Sequence, residues 1–176
     1  ESTPYHDAIP DILKSYDSVT GLWPESPGYS FGTISMLLDF ATLLRRNGID
    51  IIADNPVLQK AALAVFPWMD DRANMIIFGD SRGGPANFGT FEHLLTYYLQ
   101  TGDTENASRV AAALNKGIST GNYQRHSADW THICTYVAAI PESGKIDSER
   151  TSYSPHHRLI TMKSEPSEEN LMAVLY

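Results

Sequence analysis

The chain has 176 residues, 42% of them hydrophobic and 19% charged: enough apolar material for one ordinary domain with a core, and too ordered a composition for a disordered chain. Its 13 basic and 21 acidic residues give a net charge of −8 with no basic block, which argues against nucleic acid as the main partner. No run of about 18 apolar residues is present, so no membrane-spanning helix is expected, and Cys134, the single cysteine, reads as a small core residue.

In chain order, a first, weak helix is expected over residues 4–16, around Ile9, Ile12 and Leu13. The stretch from Trp23 to Gly32 follows. Its two prolines and two glycines predict a shaped loop, and its Trp and Tyr offer aromatic faces and a phenol to a ring-shaped polar ligand. A second helix is expected over 31–47, with Ile34, Leu37, Leu38, Ala41 and Leu44 at helical spacing and a stop at Asn47-Gly48. The third opens with Asn55 as N-cap and Pro56 at the first helical position, and its apolar spacing runs on to Met69.

The fourth helix spans about 86–101, with Phe88, Phe91, Leu94, Leu95, Tyr98 and Leu99 inward. A short turn leads to the fifth, about 104–117, and the sixth covers about 127–140. The links 17–30, 71–85 and 118–126 are long, whereas the intervening ones are short. In a stack of antiparallel helices, alternate links share an end, so the three long loops are expected to gather on one face. Residues 141–152 read as a polar linker, and Tyr153–Met162 and Glu168–Tyr176 as strands. The apolar run at the end is expected to pair with strands outside this chain, which reads as a piece of something longer.

Several residues have the chemistry for a site. Tyr29 is a candidate acid or base, with packing under its helix as the bland alternative. Glu25, four residues earlier, is suited to positioning Tyr29 or binding sugar hydroxyls; as a general acid it would need a second carboxylate, such as Asp80, across a cleft. Phe78-Gly79-Asp80-Ser81-Arg82-Gly83-Gly84 has the glycines of a phosphate loop but not its G-x-x-x-x-G-K-[ST] pattern, so Asp80 and Arg82 are read as ligand contacts or a bracing ion pair. Arg125 and His126 close the third long loop. His126 and His132 lie six apart, which does not put both on one helix face, and no metal site is expected. In Tyr153-Ser154-Pro155-His156-His157-Arg158, a histidine that supports proton transfer and an arginine that neutralises a carboxylate compete with a plain surface turn.

Taken together, W-x-E-x-x-G-Y at a helix entry, F-G-D-S in the next long loop and Y-S-P-H-H-R opening a β region resemble the heparinase II/III-like polysaccharide lyases. The order and spacing of these motifs carry the resemblance, since none is specific alone. It implies a mainly α chain: an incomplete (α/α) toroid of antiparallel helix pairs over 1–145, then the start of a β-sandwich domain over 146–176. It implies cleavage of a uronic-acid polysaccharide by β-elimination, with Tyr29 as catalytic base and acid and His156 or His157 assisting. Trp23, Glu25, Asp80, Arg82, Arg125, His126 and Arg158 become substrate-binding candidates. No cofactor is implied, the partner is an acidic polysaccharide or oligosaccharide, and the location is periplasmic or secreted in a bacterium. The Asn or His with which that family neutralises the uronate before its tyrosine has no match among the 28 residues ahead of Tyr29. Two other readings fit the same residues: an (α/α)-barrel glycoside hydrolase using Glu25, and a non-catalytic helical-repeat binding protein.

Overall fold

The computed structural model describes residues 5–125, 135, 139–142, 146, 150–155, 157–164 and 171–175. Among them are six α-helices: α1 (Tyr5–Leu13), α2 (Pro27–Arg46), α3 (Ile51–Asp54), α4 (Pro56–Leu63), α5 (Phe88–Thr101) and α6 (Thr104–Ser119). Two strands, β1 (Asn74–Met75) and β2 (Gly84–Pro85), form a small antiparallel ribbon. Three more, β3 (Thr151–Ser154), β4 (Leu159–Lys163) and β5 (Met172–Leu175), form an antiparallel sheet in that order. The helix expected over 127–140 lies almost wholly outside the described residues. None of the described helices is long and apolar enough to cross a membrane.

The expected toroid is not there: these helices form no ring of helix pairs. The physical reason begins at the third helix. Pro67 lacks an N–H and disfavours helical backbone at Phe66, so α4 stops at Leu63 and a single 3-10 turn, Phe66–Trp68, replaces the rest. At four and eight residues, α3 and α4 are too short to pair along the twenty residues of α2. Nor do the lengths suggest a repeating unit. The two longest-packed neighbours are α5 and α6, joined at Gly102, which takes the left-handed φ of 78° that ends α5, and Asp103, whose carboxylate accepts from the Asn106 N–H and caps α6.

The second correction concerns α2. Residues 27–32 are helix rather than loop, because Pro27 sits at the helical start, where its missing N–H costs nothing and its fixed φ is already helical. Tyr29 therefore stands in the first turn of α2. At the other end Arg45 and Arg46 lie in the last turn, where cations suit the helix dipole.

The core is centred on Phe91, fully buried, with the rings of Phe31, Phe66 and Phe88 at 5.5, 5.5 and 6.1 Å. Leu99, expected inward, is exposed. Gly117, inside α6, is explained by this core: a Cβ there would meet the Phe88 ring at 2.4 Å. Gly117→Ala should therefore destabilise by about 1–3 kcal/mol through overpacking, despite a helix-propensity gain of about 1 kcal/mol, read as a lowered urea midpoint.

The sheet stands on the helical layer. Leu159 is buried with Leu22, Trp68 and Ile76, Thr161 Oγ1 donates to Pro67 O at 3.3 Å, and the buried Lys163 Nζ donates to Phe66 O at 3.1 Å. Arg150 Nη1 reaches both carboxylate oxygens of Asp71, at 3.1 and 3.0 Å. The expected start of a β-sandwich is thus a three-stranded sheet whose inner face meets helices and loops. The last apolar run, expected to pair outside the chain, pairs with β4: Leu175 lies opposite Ile160 and Ala173 opposite Met162. On the outer face Tyr153, Ile160 and Leu175 form one cross-strand row, all exposed, with the exposed Met162 beside it.

Candidate functional site

Three segments distant in sequence converge near the start of α2. Gly28 is packed so closely against the loop of residues 78–83 that a Cβ on it would lie 3.0 Å from Ser81 Oγ, and Gly79 faces Ser26 in the same way at 3.4 Å. From the sheet, His157 Nε2 reaches the backbone carbonyl of Glu25 at 2.9 Å, while Nδ1 faces Ser154 Oγ at 2.9 Å. The His157 ring is held edge-on by Trp68 and Phe78, with centroids 5.2 and 5.7 Å away. The third long loop joins the second further along: Asn122 Nδ2 donates to Arg72 O and Asn74 Oδ1, both at 3.2 Å. The long loops therefore do meet, although the helices between them do not form a ring.

Tyr29 is 56% exposed beside Gly28, and no described residue hydrogen-bonds its hydroxyl. The other tyrosines around the helices differ. Burial pushes the Tyr16 phenol up to about 12, against the lowering effect of its bonds to Ser30 and Thr33. Burial likewise drives Tyr98 and Tyr123 far above the usual range, so these phenols stay protonated and structural. Tyr29 is the tyrosine at the convergence point that solvent can reach.

Glu25, Asp80 and Arg82 are exposed on the two loops that touch. Trp23 is half-buried, its ring 5.7 Å from that of Tyr16, and so presents part of itself to the core rather than a whole face to a ligand. Arg158 is exposed at the end of the β3–β4 hairpin loop, with φ at 51°. An L-residue pays of the order of 1 kcal/mol for that left-handed backbone. Arg158→Gly should accordingly cost no stability, with a gain of up to about 1 kcal/mol in thermal melts. If its guanidinium holds substrate carboxylates, the same variant should raise KM for an acidic polymer.

Arg125 has a different setting from the one expected. Its guanidinium grips Glu92 in a two-pronged pair, Nε–Oε1 2.6 Å and Nη2–Oε2 2.9 Å, with Tyr123 Oη adding a third bond to Oε1 at 3.2 Å. The pair is nearly dry, Glu92 being 3% and Arg125 11% exposed, and it anchors the third long loop to α5. His126 and His156 lie outside the described residues. Among the described residues no three His, Cys, Asp or Glu side chains come together as a metal-binding group.

Sequence reasoning passed over two buried polar residues on α5. Besides Glu92, His93 is clasped by α2, with Nδ1 2.7 Å from Thr42 Oγ1 and Nε2 2.6 Å from Asp39 Oδ1. The available signal was two ionisable residues inside the apolar run Phe91–Leu95, together with Asp39 and Thr42 three apart on the facing helix. This second cluster lies at mid-helix, about three turns along α2 from Tyr29. No protein-family model, curated protein or solved structure matches the chain.

Proposed function

We propose that this protein cleaves a uronic-acid-containing polysaccharide by β-elimination, as a lyase of the heparinase II/III-like kind, with Tyr29 moving the proton. The observation that supports the reading is the bond from His157 to Glu25 O, which joins the turn of the distant Y-S-P-H-H-R segment to the loop that leads into Tyr29. Two motifs singled out for separate reasons thus share one small region, and the loop carrying F-G-D-S packs against the same helix start.

The chemistry asks for few parts. The C5–H of a uronate becomes acidic enough to remove only when its carboxylate is neutralised by a polar or cationic group. Arg82 and Arg158, exposed on the two segments whose neighbours Ser81 and His157 meet the start of α2, are the candidate cations, and the positive end of α2 adds to them. Acting as the phenolate, Tyr29 Oη takes the C5 proton, the C4–O4 bond breaks as the C4–C5 double bond forms, and the hydroxyl so created gives that proton to the departing O4, which restores the phenolate. The products are an unsaturated sugar end and a new free end. The conjugated double bond absorbs in the ultraviolet, so a panel of acidic polysaccharides read by absorbance tests the proposal directly. New reducing ends without absorbance would instead favour hydrolysis by Glu25 and Asp80, and no cleavage of any member would end the enzymatic reading.

A further inference from the structure

The proposed reaction leaves open what His157 does, and its surroundings bear on that. A carbonyl oxygen only accepts, so the contact from Nε2 to Glu25 O requires the proton on Nε2. In the neutral ring Nδ1 is then the acceptor, and the Ser154 hydroxyl, on a buried side chain, fills it as donor. Edge-on contacts with Trp68 and Phe78, both at 86°, fix the plane of the ring. Each nitrogen is therefore spoken for by the protein, and neither lone pair nor N–H is left to serve a substrate.

We propose that His157 is a positioning residue rather than a proton carrier: with Ser154, Trp68 and Phe78 it pins the Glu25 carbonyl and thereby sets where α2 begins and where Tyr29 stands. This rests on the proposed β-elimination at Tyr29. The segment is built to pass such a constraint on. Pro24 and Pro27 bracket Glu25 and hold two of its neighbouring φ angles, and Ser26 packs against Gly79 from the other side. Only Ser26 separates the pinned residue from the first residue of the helix, and Tyr29 is two further on. The hairpin supplying the imidazole is itself fixed, since Ser154 pairs with the buried Leu159 across the strands.

Two substitutions separate positioning from proton transfer. His157→Gln keeps an N–H close to the place of Nε2 but cannot take up a proton, whereas His157→Ala removes the link. The expected result is that His157→Gln stays within about threefold of the parent kcat, with the limbs of the kcat pH profile unmoved, while His157→Ala loses about tenfold or more in kcat. Amide hydrogen exchange over residues 25–30 should rise in His157→Ala and recover in His157→Gln, with α5 and α6 unchanged as the check that the variant is folded. The proposal is overturned if His157→Gln is as slow as His157→Ala with exchange at the parent level, if it loses a limb of the pH profile, or if exchange over 25–30 is the same in all three proteins. The exchange measurement needs no substrate, so it still decides the role of His157 if no polysaccharide is cleaved and the reading of Tyr29 falls.

Discussion

Tyr29→Phe is expected to lower turnover by about 10²-fold or more with the fold nearly unchanged, because general acid–base groups contribute about 10²–10⁴. The substitution keeps the ring and removes only the hydroxyl, which has no described hydrogen-bond partner to lose. Tyr16→Phe is the matching control. Its hydroxyl donates to Ser30 O at 3.0 Å in a buried setting, so removing it should cost about 1 kcal/mol of stability and leave turnover alone. Assays on the best polysaccharide of the panel, with circular dichroism for folding, measure both. Near-normal turnover in folded Tyr29→Phe would remove the residue on which the lyase reading stands and shift attention to Glu25.

Arg125→Ala is expected to have the largest effect on stability, a loss of about 3–5 kcal/mol, because it strands the Glu92 carboxylate in a site that is almost dry. Tyr123 cannot make good the loss: its phenol offers a single bond at 3.2 Å where the guanidinium offered two shorter ones and a charge. Replacing both partners, Glu92→Leu with Arg125→Leu, should cost less than Arg125→Ala alone, since no unpaired charge is left behind. Urea unfolding with an unchanged slope measures the difference. A variant that kept its stability but bound acidic polymer poorly would restore Arg125 to the substrate-binding role the sequence suggested.

How much could be read in advance depended on the range of the interaction involved. Local signals served well: the short turn read between the fourth and fifth helices is there, with Gly102 ending α5 and Asp103 capping α6 at Thr104. On α5, Phe88, Phe91, Leu94, Leu95 and Tyr98 are buried as their spacing predicts, but Leu99 is exposed and Thr90, Glu92, His93 and Tyr97 are buried as well. The same kind of reasoning went astray where one residue has opposite meanings by position. Pro27 read as a helix breaker is in fact a helix starter, whereas Pro67 was overlooked as the interruption it is. Partners distant in the chain were illegible. Nothing near Glu92 announces Arg125, 33 residues on, and nothing near His93 announces Asp39. Amphipathic spacing says that a helix has a buried side but not which neighbour covers it, so closure into a toroid had no residue-level support. The convergence of His157 on the Glu25 loop is of the same kind: each motif was visible, while the hydrogen bond joining them belongs to the tertiary fold.

The outer row of the sheet, Tyr153 beside Ile160 beside Leu175, bears on how copies of the protein behave in crowded solution. Each copy carries a greasy surface and an excess of eight negative charges, and the two act in opposite directions when copies approach. The repulsion reaches about 10 Å at 0.1 M salt but only about 3 Å at 1 M, whereas the attraction between apolar faces does not weaken as salt is added. Ionic strength therefore sets the balance between dispersion and clumping, and concentrated salt is the condition in which the sheet surface governs colloidal behaviour.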